Sequence, residues 1–117
     1  MPLAKSDPAL AEKLALANRI LYDQNVVDGF GHISVRHDKS PEHFLLSCSR
    51  APGLVNASDI LTYDRNGDLA EPSDKRSYLE RFIHAEIYRV RPDVMSVVHS
   101  HSPSGIQFRL VGMPTMQ

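Results

Sequence analysis

Hydrophobic positions near the start of the chain recur with the spacing of a helix. Ser6 or Asp7 can cap such a helix, and Pro8 suits its first turn. The apolar positions at this spacing are Leu10, Leu14, Ala17, Ile20 and Leu21. The pattern therefore predicts a helix from about Pro8 to Gln24 with one buried stripe.

The middle of the chain changes to short extended patterns. Gly29 and Gly31 break the first helix and allow a turn or a close approach of the backbone. Strands are predicted at His32–Arg36 and Phe44–Cys48, and the turn residues at Lys39–Glu42 join them into an antiparallel hairpin.

A third strand is predicted at Ile60–Asp64. The following Asn66 and Gly67 favour a tight turn, with a short return strand near Leu69.

A second helix is predicted between Ser73 or Asp74, which can cap it, and Pro92, which ends it. Its expected buried stripe consists of Leu79, Phe82, Ile83, Ile87 and Val90. The run Val94–His99 then reads as a strand that leads directly into His-Ser-His. The apolar residues of the tail, Gly105–Gln117, lead to no predicted element.

Composition indicates one globular domain that binds a small molecule. The 117 residues carry a formal net charge of −1, and Lys and Arg are scattered. This excludes the charge pattern of a nucleic-acid partner or a membrane surface. No apolar run approaches the roughly 20 residues of a membrane span, and residues 1–7 lack a secretory signal. The single Cys48 cannot form an internal disulfide, which favours a cytoplasmic, reducing compartment. It lies in an apolar run, which predicts a small buried hydrophobic side chain rather than a nucleophile.

His99 and His101 are the first candidates for chemistry. On a strand, side chains two residues apart share a face and lie roughly 6–7 Å apart, so both imidazoles can reach one divalent metal ion. The alternative is a pair of surface histidines in a loop, which so short a motif favours when taken alone. The motif alone leaves both interpretations open.

Glu80 and His84 lie four residues apart on the predicted second helix. A partly buried carboxylate there could act as a general acid or base, because burial raises its pKa. The alternative is a simple polar contact between the two side chains on a solvated face.

Four ordered motifs resemble the class II aldolase/adducin family. Glu80–His84, Arg91–Val94 and Val97–Ser102 are similar to its central signature, and the glycine turn into His32–Arg36 is similar to its Gly-Asn-x-Ser-x-Arg motif. The resemblance implies an α/β fold of three α/β/α layers with a mainly antiparallel sheet. It also implies a homo-oligomer, usually a cyclic tetramer.

Carried onto this chain, the resemblance makes His99 and His101 metal ligands and Glu80 the catalytic carboxylate. Zinc is the expected ion, with manganese, cobalt or magnesium as alternatives. The family takes a third histidine ligand from its C-terminal half, beyond Gln117. We therefore expect the chain to be a partial version of a longer domain, with an incomplete metal site.

Departures from the sugar-phosphate aldolases point away from a phosphorylated substrate. Where those enzymes carry Asn, Thr-Gly and two serines, this chain has His32, the segment Ser49–Ala51, and Tyr78 with Leu79. The residues expected to contact substrate are His32, Ser34, Ser49 and Arg50, whose guanidinium suits a carboxylate.

The segments Gly31–His37, Phe44–Ser47 and Leu79–His84 look closer to a branch of the family that includes decarboxylases. The resemblance therefore favours a metal-dependent carbon–carbon lyase that decarboxylates a hydroxylated aromatic or heteroaromatic acid. One alternative is an aldolase acting on a small hydroxy-carbonyl compound. Another is a non-catalytic, adducin-like interaction domain.

Overall fold

A computed structural model of the chain describes residues 5–27, 29–102 and 105–112, with the backbone alone from 101 onward. Helix α1 spans Pro8–Asp23, and the Asp7 carboxylate caps it by accepting a hydrogen bond of 3.0 Å from the Ala9 backbone N–H. The predicted first helix is confirmed to within one residue. Ile20 is about half exposed, so the buried stripe is narrower than expected.

Five strands form one antiparallel sheet in the order β3-β2-β1-β4-β5. They are β1 His32–Arg36, β2 Phe44–Ser47, β3 Ile60–Tyr63, β4 Val94–Ser102 and β5 Gly105–Gly112. The predicted β1–β2 hairpin is confirmed. The turn after β3 is also confirmed, since Gly67 has a φ of +85° and Tyr63 bridges to Leu69.

The last two strands extend beyond the prediction. Strand β4 runs three residues past His99, and β5 follows it as an antiparallel partner that was not predicted. Alternation of Ile106, Phe108 and Leu110 was the signal for β5, because such a pattern is typical of a strand.

Alternation along β1 and β2 sends side chains to two different layers. Ile33 and Leu45 pack with Leu14 of α1 on one face. Phe44 and Leu46 belong to the larger cluster on the other face. Helix α2, Arg81–Val90, packs on that second face through Ala85 and Tyr88. The expected three-layer α/β/α fold with an antiparallel sheet is confirmed.

The predicted start of the second helix is wrong. Ser73 and Asp74 lie in a non-helical segment, and α2 begins only at Arg81, with Glu80 at its N-cap position. Tertiary contacts hold the preceding segment extended: Ser49 N–H donates to the Arg76 carbonyl at 2.6 Å, and the Tyr63 hydroxyl donates to Ser77 at 2.6 Å. Such contacts override local helix signals.

The predicted buried stripe of this helix is also wrong. Leu79, Phe82, Ile83 and Val90 are all exposed, and Ile87 is only partly buried. The buried positions are His84, Ala85 and Tyr88. Polar groups on the facing strand explain this choice, because His84 and Tyr88 both hydrogen-bond to Ser34 of β1.

Arg36 holds the C-terminal end of α2 against the sheet. Its guanidinium is buried and donates to the carbonyls of Tyr88 at 3.1 Å and Arg91 at 3.0 Å. A further bond reaches the Val94 carbonyl at 2.9 Å. The helix ends at Val90, before Pro92 as predicted, and a cation satisfies the carbonyls at its C-terminal end.

Within the described segments, no helix combines the length and apolarity that crossing a bilayer requires.

Cys48 is buried in the cluster beneath α2, and burial raises the pKa of its thiol. A raised pKa leaves less reactive thiolate, in keeping with a packing role.

Gly31 provides a test of how tightly the turn before β1 packs. A Cβ at this position would lie 2.6 Å from the Val27 Cβ and 3.0 Å from the His99 carbonyl oxygen. Gly31→Ala should therefore lower the free energy of unfolding by about 1–3 kcal/mol through overpacking. Gly29→Ala is the matched control, since nothing lies within 4 Å of its Cβ position. Urea unfolding compares the two variants, and equal stability of both would contradict the prediction.

Candidate active site

Three polar side chains from three different elements converge on the α2 face of the sheet. The antiparallel register pairs His32 on β1 with His99 on β4, and their Nε2 and Nδ1 atoms lie 2.9 Å apart. Glu80 reaches both rings from the start of α2, at 3.4 Å from His32 Nε2 and 3.2 Å from His99 Nδ1. One carboxylate is therefore shared by two neighbouring imidazoles.

The three groups differ in their access to solvent. Both imidazoles are fully buried, whereas the Glu80 side chain is 39% exposed. Glu80 also lines an open depression together with Ser49, Arg76, Ser77, Tyr78 and Leu79. The carboxylate thus lies at the boundary between the buried histidines and the surface.

A chain of hydrogen bonds continues inward from His32. Its Nδ1 lies 2.7 Å from Nε2 of His84, whose Nδ1 lies 2.6 Å from the Ser34 hydroxyl. Ser34 in turn contacts the Tyr88 hydroxyl at 2.8 Å. Burial, reinforced by the neighbouring imidazoles of His32 and His99, lowers the pKa of His84 well below its usual value. His84 is therefore neutral, and one ring nitrogen donates while the other accepts.

The ligand atoms of this cluster suit a divalent metal ion. His32, Glu80 and His99 can each offer one nitrogen or oxygen, and these atoms all lie within 4.8 Å of one another. Atoms about 2.1 Å from one ion lie roughly 3.0 Å apart in an octahedral and 3.4 Å apart in a tetrahedral arrangement. The two imidazole nitrogens, 2.9 Å apart, fall close to the octahedral value, and each contacts a different Glu80 oxygen, His32 Nε2 at 3.4 Å from Oε1 and His99 Nδ1 at 3.2 Å from Oε2. Imidazole nitrogen with carboxylate oxygen is also the ligand set that zinc and related ions accept.

The structure brings some of the predicted site residues together and separates others. His32, Glu80 and His99 form the cluster itself. Ser34 lies behind it, fully buried, with its hydroxyl bonded to His84 and Tyr88. For His101 the structure describes only its backbone, in β4 opposite Ile106, so its side chain lies outside the described residues.

Ser49 and Arg50 lie at the rim and connect to the cluster through Tyr78. The Tyr78 hydroxyl donates to the Arg50 carbonyl, and its ring centroid lies 4.7 Å from that of His32. Ser49 is exposed beside Glu80 in the depression. Substrate contact by Ser49 and Arg50 stays a prediction.

Three contributors were not recognised from the sequence. Tyr78 and Tyr88 received no role, and for His84 the sequence suggested only a position beside Glu80, with a contact between the two on a solvated face as one interpretation. His84 instead points into the sheet and contacts His32 and Ser34. The alternation of His32 with Ser34 on β1 was the available signal, because it places polar side chains on the face that α2 covers.

Asp59 organises the rim segment that carries Arg50. Its carboxylate is buried, accepts from the Asn56 backbone N–H at 2.9 Å, and pairs with Lys75 at 3.2 Å and Arg50 at 3.7 Å. Burial by itself would raise the pKa of this carboxyl, but the Asn56 and Lys75 hydrogen bonds and the charge of Arg50 lower it below its usual range.

Asp59→Asn should destabilise the protein by roughly 1–2 kcal/mol at pH 7, a modest figure because the cationic partners are partly exposed. A lowered pKa means that the unfolded chain takes up this proton first as pH falls. The stabilisation is therefore present above about pH 4 and is lost below it. Urea unfolding at pH 7 and pH 3 should show the difference from wild type shrinking at the lower pH. An equal difference at both pH values would contradict this assignment.

The sequence of this chain matches a family of known proteins. Residues 12–116 match the family model described as Class II Aldolase and Adducin N-terminal domain. A decarboxylase of Talaromyces stipitatus is 38% identical over 96 residues, which cover 80% of this chain and 36% of that protein. The 3,4-dihydroxyphthalate decarboxylase of Arthrobacter keyseri is 37% identical over 112 residues, which cover 87% of this chain and 44% of that protein.

Solved structures agree. The L-fuculose 1-phosphate aldolase from Glaciozyma antarctica superposes with a TM-score of 0.72 and 26% sequence identity, over 87% of this chain and 45% of that enzyme. The chain therefore spans less than half the length of each of these relatives. Sequence and structure together show that this chain belongs to the class II aldolase and adducin family.

Proposed function

We propose that this protein is a metal-dependent carbon–carbon lyase that decarboxylates a hydroxylated aromatic or heteroaromatic acid. The observation that carries the proposal is the position of Glu80, a solvent-accessible carboxylate in contact with two buried imidazoles. Two relatives at 37–38% identity are named decarboxylases, which supports this chemistry.

The reaction makes one physical demand on the site. When the bond to the departing carboxylate breaks, CO₂ leaves and the electron pair stays on the ring carbon, which must then take up a proton. A divalent ion held by His99 and His101, with zinc the first candidate, would supply Lewis-acid stabilisation of that developing charge. The chain's own residues must bind the acid, orient it and deliver the proton.

Glu80 is the proposed proton carrier. In its acid form it donates a proton to the ring carbon, and its exposed side allows it to regain a proton from solvent. The two imidazoles hold the carboxylate in place on its inner side. The Glu80 carboxylate can therefore contact the buried imidazoles on one side and the substrate on the other.

Cationic groups at the rim provide a place for a substrate carboxylate. Arg76 lines the depression beside Glu80. The Arg50 side chain is 45% exposed, and the Arg50 backbone carbonyl accepts a hydrogen bond from Tyr78. A guanidinium can bind a carboxylate through two parallel hydrogen bonds. Arg50 also interacts with Asp59, which orients it without removing it from solvent.

An aldolase acting on a sugar phosphate is less well supported. Tyr78, at a position where the sugar-phosphate enzymes carry serine, packs its ring on His32 and bonds to the Arg50 carbonyl. Its hydroxyl is thereby engaged within the protein, where a phosphate would need free small polar groups. A non-catalytic adducin-like domain has no need for a buried, metal-compatible cluster at an open depression.

Association into a homo-oligomer belongs to the same proposal. Helix α2 leaves Phe82, Ile83 and Val90 exposed on its outer side, and Leu79 precedes it with 86% exposure. Apolar side chains grouped in this way are typical of surfaces that another chain covers.

The direct experiment compares two substrates on the purified protein in its full length, because the chain spans less than half of its relatives, and it supplies zinc or manganese. We expect CO₂ release from 3,4-dihydroxyphthalate or a related hydroxylated aromatic acid, and none without metal. We expect no cleavage of L-fuculose 1-phosphate. Aldol cleavage alone would favour the aldolase alternative, and inactivity on both classes with a stoichiometric metal bound would contradict the decarboxylase assignment.

Glu80→Gln tests the role of the carboxylate. The variant keeps the shape of the side chain but cannot carry the proton, so turnover should fall by about 10²–10⁴-fold. Metal content should stay unchanged, because the imidazoles remain. Glu86→Gln is the matched control, since Glu86 lies on α2 but pairs with Arg89 at the surface. Retained turnover in Glu80→Gln would remove Glu80 from the mechanism.

A further inference from the structure

We infer that His32 is a further nitrogen ligand of the metal site, acting through Nε2, in place of the substrate contact expected from the sequence. This inference rests on the metal dependence proposed above. It is independent of which substrate the protein takes.

The position of His32 Nε2 relative to its neighbours is the first argument. It lies 2.9 Å from His99 Nδ1 and 3.4 Å from a Glu80 oxygen. Two nitrogens about 3 Å apart have the separation of two ligands on one ion. The three atoms come from β1, β4 and the start of α2, so the fold itself fixes them, independent of any one flexible loop.

The second argument is that His32 is held in one orientation. Its Nδ1 is engaged by His84 at 2.7 Å, and Tyr78 packs against its ring. His84 is itself held by Ser34, which contacts Tyr88. A hydrogen bond to one ring nitrogen sets the tautomer and directs the other nitrogen at the ion, as is usual for histidine ligands.

Burial is the third argument. His32 has no exposed surface, whereas Glu80 lines the open depression. A substrate arriving through that depression meets Glu80 before it meets His32. An internal ligand is therefore the better use of this imidazole, and it leaves the carboxylate available for proton transfer.

The first test is a zinc competition titration of the purified protein with a chromogenic chelator. His32→Asn should weaken zinc binding by more than about 100-fold, beyond the 10–100-fold typical of residues that only support a ligand. His43→Asn is the matched control, because His43 lies outside the cluster, and its zinc affinity should equal that of wild type. Unchanged affinity in a folded His32→Asn protein would overturn the inference.

A second measurement needs no mutation and covers the case in which His32→Asn fails to fold. In the ¹⁵N-labelled wild-type protein, added zinc should shift the Nε2 resonance of His32 and leave that of His43 in place. An Nε2 of His32 that keeps its proton at saturating zinc would overturn the inference.

The measurements distinguish failure of the His32 ligand role from failure of the decarboxylase function. Zinc bound through His32 without CO₂ release would reject only the decarboxylase function. Failure of the wild-type protein to bind zinc would reject the ligand role of His32 together with the metal dependence.

Discussion

The antiparallel pairing of β1 with β4 determines where the buried histidines of the candidate site lie. It sets His32 beside His99 on the face that α2 covers, and it leaves the opposite face to the apolar packing of α1. Buried imidazoles are costly unless their nitrogens find partners. Glu80 at the start of α2 and His84 one turn further meet that need, so the helix is positioned by polar contacts as much as by apolar ones.

Local sequence patterns predicted correctly those helices and strands whose first and last residues are determined by neighbouring residues in the chain. Asp7 and Pro8 define the start of α1, and the alternation at His32–Arg36 defines β1. The class II aldolase and adducin motifs then indicated the layers, and they grouped Glu80 with His99, which lie in contact. These features were predictable because each depends on a short stretch of consecutive residues.

The errors concern contacts between segments that are distant in sequence. Helix α2 begins late because Arg76 and Ser77 are held by Ser49 and Tyr63, which no local pattern reveals. Its buried face is set by His84 and Tyr88, whose partner Ser34 lies about fifty residues earlier. Periodicity identified the apolar side of the helix and placed it inward. Polar complementarity with the sheet turned that side outward instead.

Strand β1 anchors both ends of the same helix. Arg36 binds the carbonyls at the end of α2, and His32, four residues earlier on the strand, meets Glu80 at its beginning. The five strand residues His32–Arg36 therefore span the length of the ten-residue helix, and this fixes the position of the Glu80 carboxylate at one end of it. A one-residue slip of this strand would turn Ile33 and Val35 toward the helix and detach both anchors together. The register of the sheet and the position of Glu80 are thus set together in this fold.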